Sequence, residues 1–176
     1  MYIYKNEILS TMEKDEGFEV IKEYDDGDDA QGGVLVKWKG FAFYISFNDK
    51  LALNIKNNSD ADDERIYRST AYDFQITFVM AAKDLKGDSV AKYKIANFAN
   101  MKTDLGAVYI YREDAGVFEV AVRNTGIVRY KTEDHIRSVV IRMILTGSIA
   151  VQELTGIINS YMDAPNAFLD SCKGIS

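Results

Sequence analysis

The sequence predicts an α+β fold: a single domain with a twisted, mostly antiparallel β-sheet flanked by helices and a long helix near the C-terminus. Three observations carry this. Residues 33–39 and 41–48 alternate apolar and polar side chains and are joined tightly at Gly40, the pattern of neighbouring antiparallel strands. Ile136, Val140, Met143, Gly147, Val151, Leu154, Ile158 and Tyr161 follow one another in steps of three or four with no loss of phase, the pattern of one long helix. The chain has 176 residues, 47% of them apolar and 27% charged, enough for one ordinary core. No internal repeat or linker divides it, so residues 1–165 read as the domain and 166–176 as a C-terminal tail.

Residues 5–16 predict a first helix, with Ile8, Leu9 and Met12 at helical spacing and Gly17 ending it. Phe18 to Tyr24 alternates as a strand. The run Asp25-Asp26-Gly27-Asp28-Asp29 reads as a solvated turn. In the next two strands Val34, Val36 and Trp38 share a face, as do Phe41, Phe43, Ile45 and Phe47. Leu51 to Ile55 suits a further strand, and residues 57–64 an acidic loop.

Residues 71–86 fit two patterns. Phe74, Ile76 and Phe78 alternate like a strand, while Ala71, Phe74, Phe78, Ala82 and Leu85 trace a helical stripe. Aromatic and β-branched content favours strand to Met80, and residues 81–86 favour helix up to Gly87. Asp88 or Ser89 can cap a helix to about Lys102, with Val90, Tyr93, Ala96 and Met101 as its apolar positions. A hairpin follows, with strands 107–113 and 117–124 around Asp114-Ala115-Gly116. Both faces of Val108-Tyr109-Ile110-Tyr111 are apolar or aromatic, which predicts a central strand. The last helix starts at a Thr132 cap and runs to about Met162, with Gly147 allowing close packing; Pro165 ends it, leaving a loosely held tail.

The net charge of -6 argues against a nucleic-acid surface, which needs clustered Lys and Arg. One Cys and one His are too few for a structural zinc site and exclude an internal disulfide. No secretory leader is recognisable, and no run of 18 apolar residues occurs, so a soluble, cytoplasmic protein without membrane contact is expected. The match at Asn57-Asn58-Ser59 to a glycosylation acceptor then has no meaning.

The residues that carry chemistry are sparse. His135 stands beside Glu133 and Asp134 in the first turn of the last helix, where carboxylates complement the helix dipole. Cys172, in the tail, is expected to be a surface thiol without the fixed partner that a nucleophile needs. Asn58, Asp60, Asp62 and Glu64 alternate like calcium ligands, but Asp63 replaces the required Gly and Ser69 the closing Glu. Neither G-x-x-x-x-G-K-[ST] nor G-x-G-x-x-G occurs. No catalytic residue, cofactor or metal site is assigned, and no enzymatic activity is expected.

Ile8 to Gly17 leading into Phe18-Glu-Val-Ile21, then Phe43-Tyr-Ile-Ser-Phe47, then Asn97-Phe-Ala-Asn100 before Val108-Tyr-Ile-Tyr111 and Phe118-Glu-Val-Ala-Val122 carry a resemblance. In these stretches the chain resembles the YbjN-domain family of bacterial proteins, which shares a fold with class I type III secretion chaperones. The resemblance implies a sensory transduction regulator without established catalytic residues. It also implies an apolar groove for segments of other proteins, as in the dimeric chaperones.

The expected function is thus a non-enzymatic, protein-binding regulator or chaperone-like adaptor. The alternative is a small-ligand-binding or enzymatic domain with a polar pocket. Asn97, Asn100, Phe43, Ile45 and Phe47 are the candidate contacts, with a partner or within the structure. The partner is a protein of unspecified identity. A homodimer is expected as well, because the apolar positions outnumber what one helix layer covers.

Overall fold

A computed structural model describes residue 3 and residues 5–24, 33–47, 74–82, 85, 87–103, 105–124 and 132–173. The acidic run at 25–29, the strand expected at 51–55, the loop at 57–64 with its cation ligands, and residues 83, 84 and 86 lie outside them. The described elements are α1 (Lys5–Met12), β1 (Glu19–Tyr24), β2 (Gly33–Trp38), β3 (Phe41–Phe47), β4 (Phe74–Ala81), α2 (Ser89–Lys102), β5 (Ala107–Arg112), β6 (Val117–Arg123), α3 (Glu133–Asp163) and α4 (Pro165–Ser171). The fold is α+β, with one open antiparallel sheet in the order β1-β2-β3-β4-β6-β5.

The chain divides into two compact units: Met1–Ile76 with Arg123–Ile144, and Thr77–Val122 with Leu145–Ser176. In the first, β2 and β3 form a hairpin in which Val34 opposes Ile45, Val36 opposes Phe43 and Trp38 opposes Phe41. The two-residue connection is Lys39-Gly40, with φ of 48° and 87°. Two positive φ angles in succession suit the right-handed strand twist, and glycine adopts the second without strain. Alternation sends Val34, Val36, Phe43 and Ile45 to one buried face. Ile8 and Met12 of α1 and Ile136, Val140 and Met143 of α3 are buried in the same unit. Beyond α1, the Arg137 Nε–H donates one bifurcated hydrogen bond to the two Asp15 carboxylate oxygens at 2.8 and 3.0 Å, and Lys14 pairs with Glu133 at 2.7 Å. Helix α1 stops at Met12, short of the expected 16. Gly17, at φ 83°, turns the chain toward β1.

The second unit departs from expectation in four places, each with a physical reason. Strand β5 is at the sheet edge and is not central: Tyr109 and Tyr111 are buried while Val108 and Ile110 are half-buried. Helix α2 buries Ala91, Ile95, Ala96 and Ala99, and leaves Val90, Tyr93 and Met101 exposed. Three alanines beside Ile95 let its backbone approach closely, and of the four expected apolar positions only Ala96 lies on that face. Residues 81–82 continue from β4 without a helix, and the Ala82 N–H donates to the Gly116 carbonyl at 3.0 Å. The tail is not loose, because residues 165–171 form α4, which starts at Pro165 and buries Phe168.

Other expectations hold. Asp88 caps α2 by accepting from the Ala91 N–H at 2.9 Å. The β5–β6 hairpin turns through Gly116 at φ 64°. Helix α3 runs unbroken through Gly147, where a Cβ would fall inside the edge of the Phe78 ring.

Candidate functional site

The sequence singled out two groups of residues, which belong to different units. Phe43, Ile45 and Phe47 lie on β3 in the first unit, at most 3% exposed, and are core contacts. Asn97 and Asn100 lie on α2 in the second unit. Asn97 is exposed. Asn100 donates from its amide nitrogen to the Tyr109 carbonyl at 2.8 Å and accepts from the Tyr109 N–H at 2.9 Å.

His135 is exposed in the first turn of α3, where its N–H donates to Thr132. Cys172, the residue that follows α4, is 2% exposed and so is buried, not the surface thiol expected. Among the described residues, no group of three or more His, Cys, Asp or Glu side chains is placed to hold a metal.

In the second unit a cleft of about 610 Å³ opens among α2, α3 and α4. Its apolar walls are Phe98 of α2, Ile149 and Ile157 of α3, and Phe168 of α4, with Gly156 opening the α3 surface. A Cβ on Gly156 would meet nothing within 4 Å. The walls are held by rings: Phe98 and Phe168 lie 5.1 Å apart, and Tyr161 meets Phe168 edge-on at 5.7 Å. Tyr161 also fills the space that a side chain at Gly87 would need.

The polar lining is Gln152, Glu153, Ser160 and Ser171. The Ser160 hydroxyl already donates to the Gly156 carbonyl at 3.0 Å and the Ser171 hydroxyl to the Phe168 carbonyl at 2.6 Å. Toward the cleft these two oxygens can only accept. Glu153 has no ion pair among the described residues. Its charge is felt by Tyr109, whose phenol is raised above its usual value near 10.0, first by burial and then by Glu153. The Thr103 hydroxyl opposes that rise, although its own hydrogen goes to the Ala99 carbonyl, and the Tyr109 hydroxyl is buried without a hydrogen-bond partner.

The sequence carried two signals for this cleft. Leu145, Ile149, Gln152, Gly156 and Ser160 form a second stripe at helical spacing, off the buried one. Leu145 and Ile149 are 57% and 48% exposed. From Met143 to Cys172 there is no Lys or Arg, only Glu153, Asp163 and Asp170, the last paired with Lys173 at 2.7 Å. Helix α3 is long and apolar enough to cross a membrane by length and composition. No protein-family model, curated protein or solved structure matches this chain.

Proposed function

We propose that the chain is a non-enzymatic, protein-binding regulator or chaperone-like adaptor of the YbjN type, acting in the cytoplasm, and that it takes an apolar segment of its partner into the cleft among α2, α3 and α4. The observation that carries this reading is the cleft itself. It has aromatic and aliphatic walls, a polar lining, and a glycine where a side chain would have filled the space. A groove between helices of this kind suits a helix presenting its apolar side chains. Exposed Leu145, one turn before Ile149 on α3, extends the apolar surface beyond the cleft.

The volume also suits a small ligand, so the test separates the two. A photo-crosslinking residue at position 157, expressed in cells, should capture a defined protein, and one at position 90 should not. With that protein purified, Ile157→Glu should abolish a complex seen by sedimentation, and Val90→Glu should leave it intact. Equal capture at both positions, or a complex that survives Ile157→Glu, overturns the reading.

A further inference from the structure

The chemistry of the cleft narrows the partner. This step rests on the protein-binding reading above and specifies the segment that binds.

Every polar group with a fixed role in the cleft is an acceptor. Glu153 brings a carboxylate that no cation answers among the described residues, and Ser160 and Ser171 turn lone pairs outward because their hydrogens go to backbone carbonyls. Only Gln152 has a donor to offer. The surrounding chain reinforces this: thirty residues from Met143 to Cys172 contain three carboxylates and no cationic side chain. The α2 wall is different: Lys102 Nζ already lies 5.5 Å from the centre of the Phe98 ring, so an incoming cation is favoured on the α3 side, at Glu153. Glu153 is exposed at the margin of the cleft, where its charge selects a partner by sign and does so most at low salt.

We infer that the cleft receives a cationic amphipathic helix of a partner protein. Its apolar side chains would enter between Phe98, Ile149, Ile157 and Phe168, and a Lys or Arg one turn away would pair with Glu153. The same charge pattern disfavours an anionic membrane surface as the occupant, because that contact needs basic residues on the protein. A second copy of this chain would have to offer α2, which carries Lys92, Lys94 and Lys102, but α2 already forms a wall of the cleft in its own copy.

The test uses three fluorescent synthetic helices with Leu at helical spacing, differing only in whether the flanking positions are Lys, Gln or Glu. Binding to the full chain is followed by anisotropy. The Lys helix should bind about three- to fivefold more tightly than the Gln helix, the Glu helix should bind more weakly than either, and added salt should weaken the Lys helix alone. Glu153→Lys should erase the preference for Lys over Gln. Gly156→Leu should abolish binding of both; its Cβ meets nothing within 4 Å, and an unchanged thermal melt checks that the fold is kept. Equal binding of the Lys and Gln helices, both lost in Gly156→Leu, overturns the charge inference and leaves the protein-binding reading standing. Binding of any helix that Gly156→Leu does not reduce overturns both, as does no binding at all. A self-association of the chain that Gly156→Leu abolishes makes the occupant a second copy and overturns the inference.

Discussion

The carboxamide of Asn100 closes both backbone groups of Tyr109: it donates to the carbonyl and accepts from the N–H, at 2.8 and 2.9 Å. Tyr109 opposes Val120 on β6. An antiparallel strand turns its backbone groups alternately toward and away from its neighbour. A residue whose N–H and C=O both meet Asn100 is therefore one that faces the open side. The side chain takes the place of a missing strand at the edge of the sheet, where unpaired backbone groups would otherwise template pairing with another chain. Asn100→Ala should lower stability by about 1–2 kcal/mol, the net worth of two hydrogen bonds. It should also make the chain associate with rising concentration. Urea unfolding and light scattering read the two effects, and Asn97→Ala, at an exposed position, should change stability by no more than about 0.5 kcal/mol. An unchanged unfolding midpoint for Asn100→Ala would refute the account.

Tyr109 itself supplies a pH prediction. Its phenol is raised in the folded chain, chiefly by burial and further by Glu153. The neutral form is the one the fold favours. Its contribution is complete below the unfolded value near 10 and is lost as the pH rises through the higher folded value. Tyr109→Phe removes a buried hydroxyl that has no hydrogen-bond partner, so it should raise stability at neutral pH by about 1 kcal/mol. It should also flatten the loss of stability above about pH 10 relative to the parent chain. Urea midpoints for both proteins at neutral and alkaline pH decide this. Parallel alkaline losses in the two would sink it.

Two glycines of one helix should respond with opposite signs. A Cβ on Gly147 collides with the Phe78 ring, whereas one on Gly156 meets open space. Gly147→Ala should cost about 1–3 kcal/mol by overpacking. Gly156→Ala should add about 0.5–1 kcal/mol, the helix-propensity difference between the two residues. Thermal melts of the two variants provide the comparison, and shifts of the same sign would contradict it.

Cys172 should resist thiol reagents in the native chain. At 2% exposure it reacts only when α4 lifts away. Labelling should be slow in buffer and fast in denaturant, and Phe168→Ala, which removes the ring seated against Phe98 and Tyr161, should accelerate it in buffer. Native labelling as fast as denatured labelling would show that the α4 placement is wrong.

The strand and helix pattern was legible because it is written in local periods: alternation through β2, β3 and β6, and an unbroken helical phase through Gly147. What escaped was packing. Val108 and Ile110 gave β5 a second apolar face and so suggested a central strand, but half-burial of these residues at an edge satisfies the same pattern. In α2 the spacing pointed to Val90, Tyr93, Ala96 and Met101, of which only Ala96 is buried; the contact is made by Ile95 with Ala91, Ala96 and Ala99. Size is a poor guide where two backbones must come close enough for Asn100 to reach β5. Phe98 and Phe168, 70 positions apart in the chain, have no local signature that pairs them. The dearth of Lys and Arg after Arg142 was visible throughout, and only the cleft gives it chemical meaning.

The Lys39-Gly40 turn also bears on how the chain finds its structure. A connection of two residues closes with little loss of chain entropy, and hairpins of this size form in about 1–10 μs. Pairing of Trp38 with Phe41 fixes every later step of the ladder up to Gly33 and Ser46. A slip by one residue would turn Val34, Val36 and Trp38 to the opposite side of the sheet. The two left-handed residues thus act as a kinetic register mark: they make the correct alignment the first one the chain samples. Replacing Gly40 by a β-branched residue should slow refolding more than it speeds unfolding.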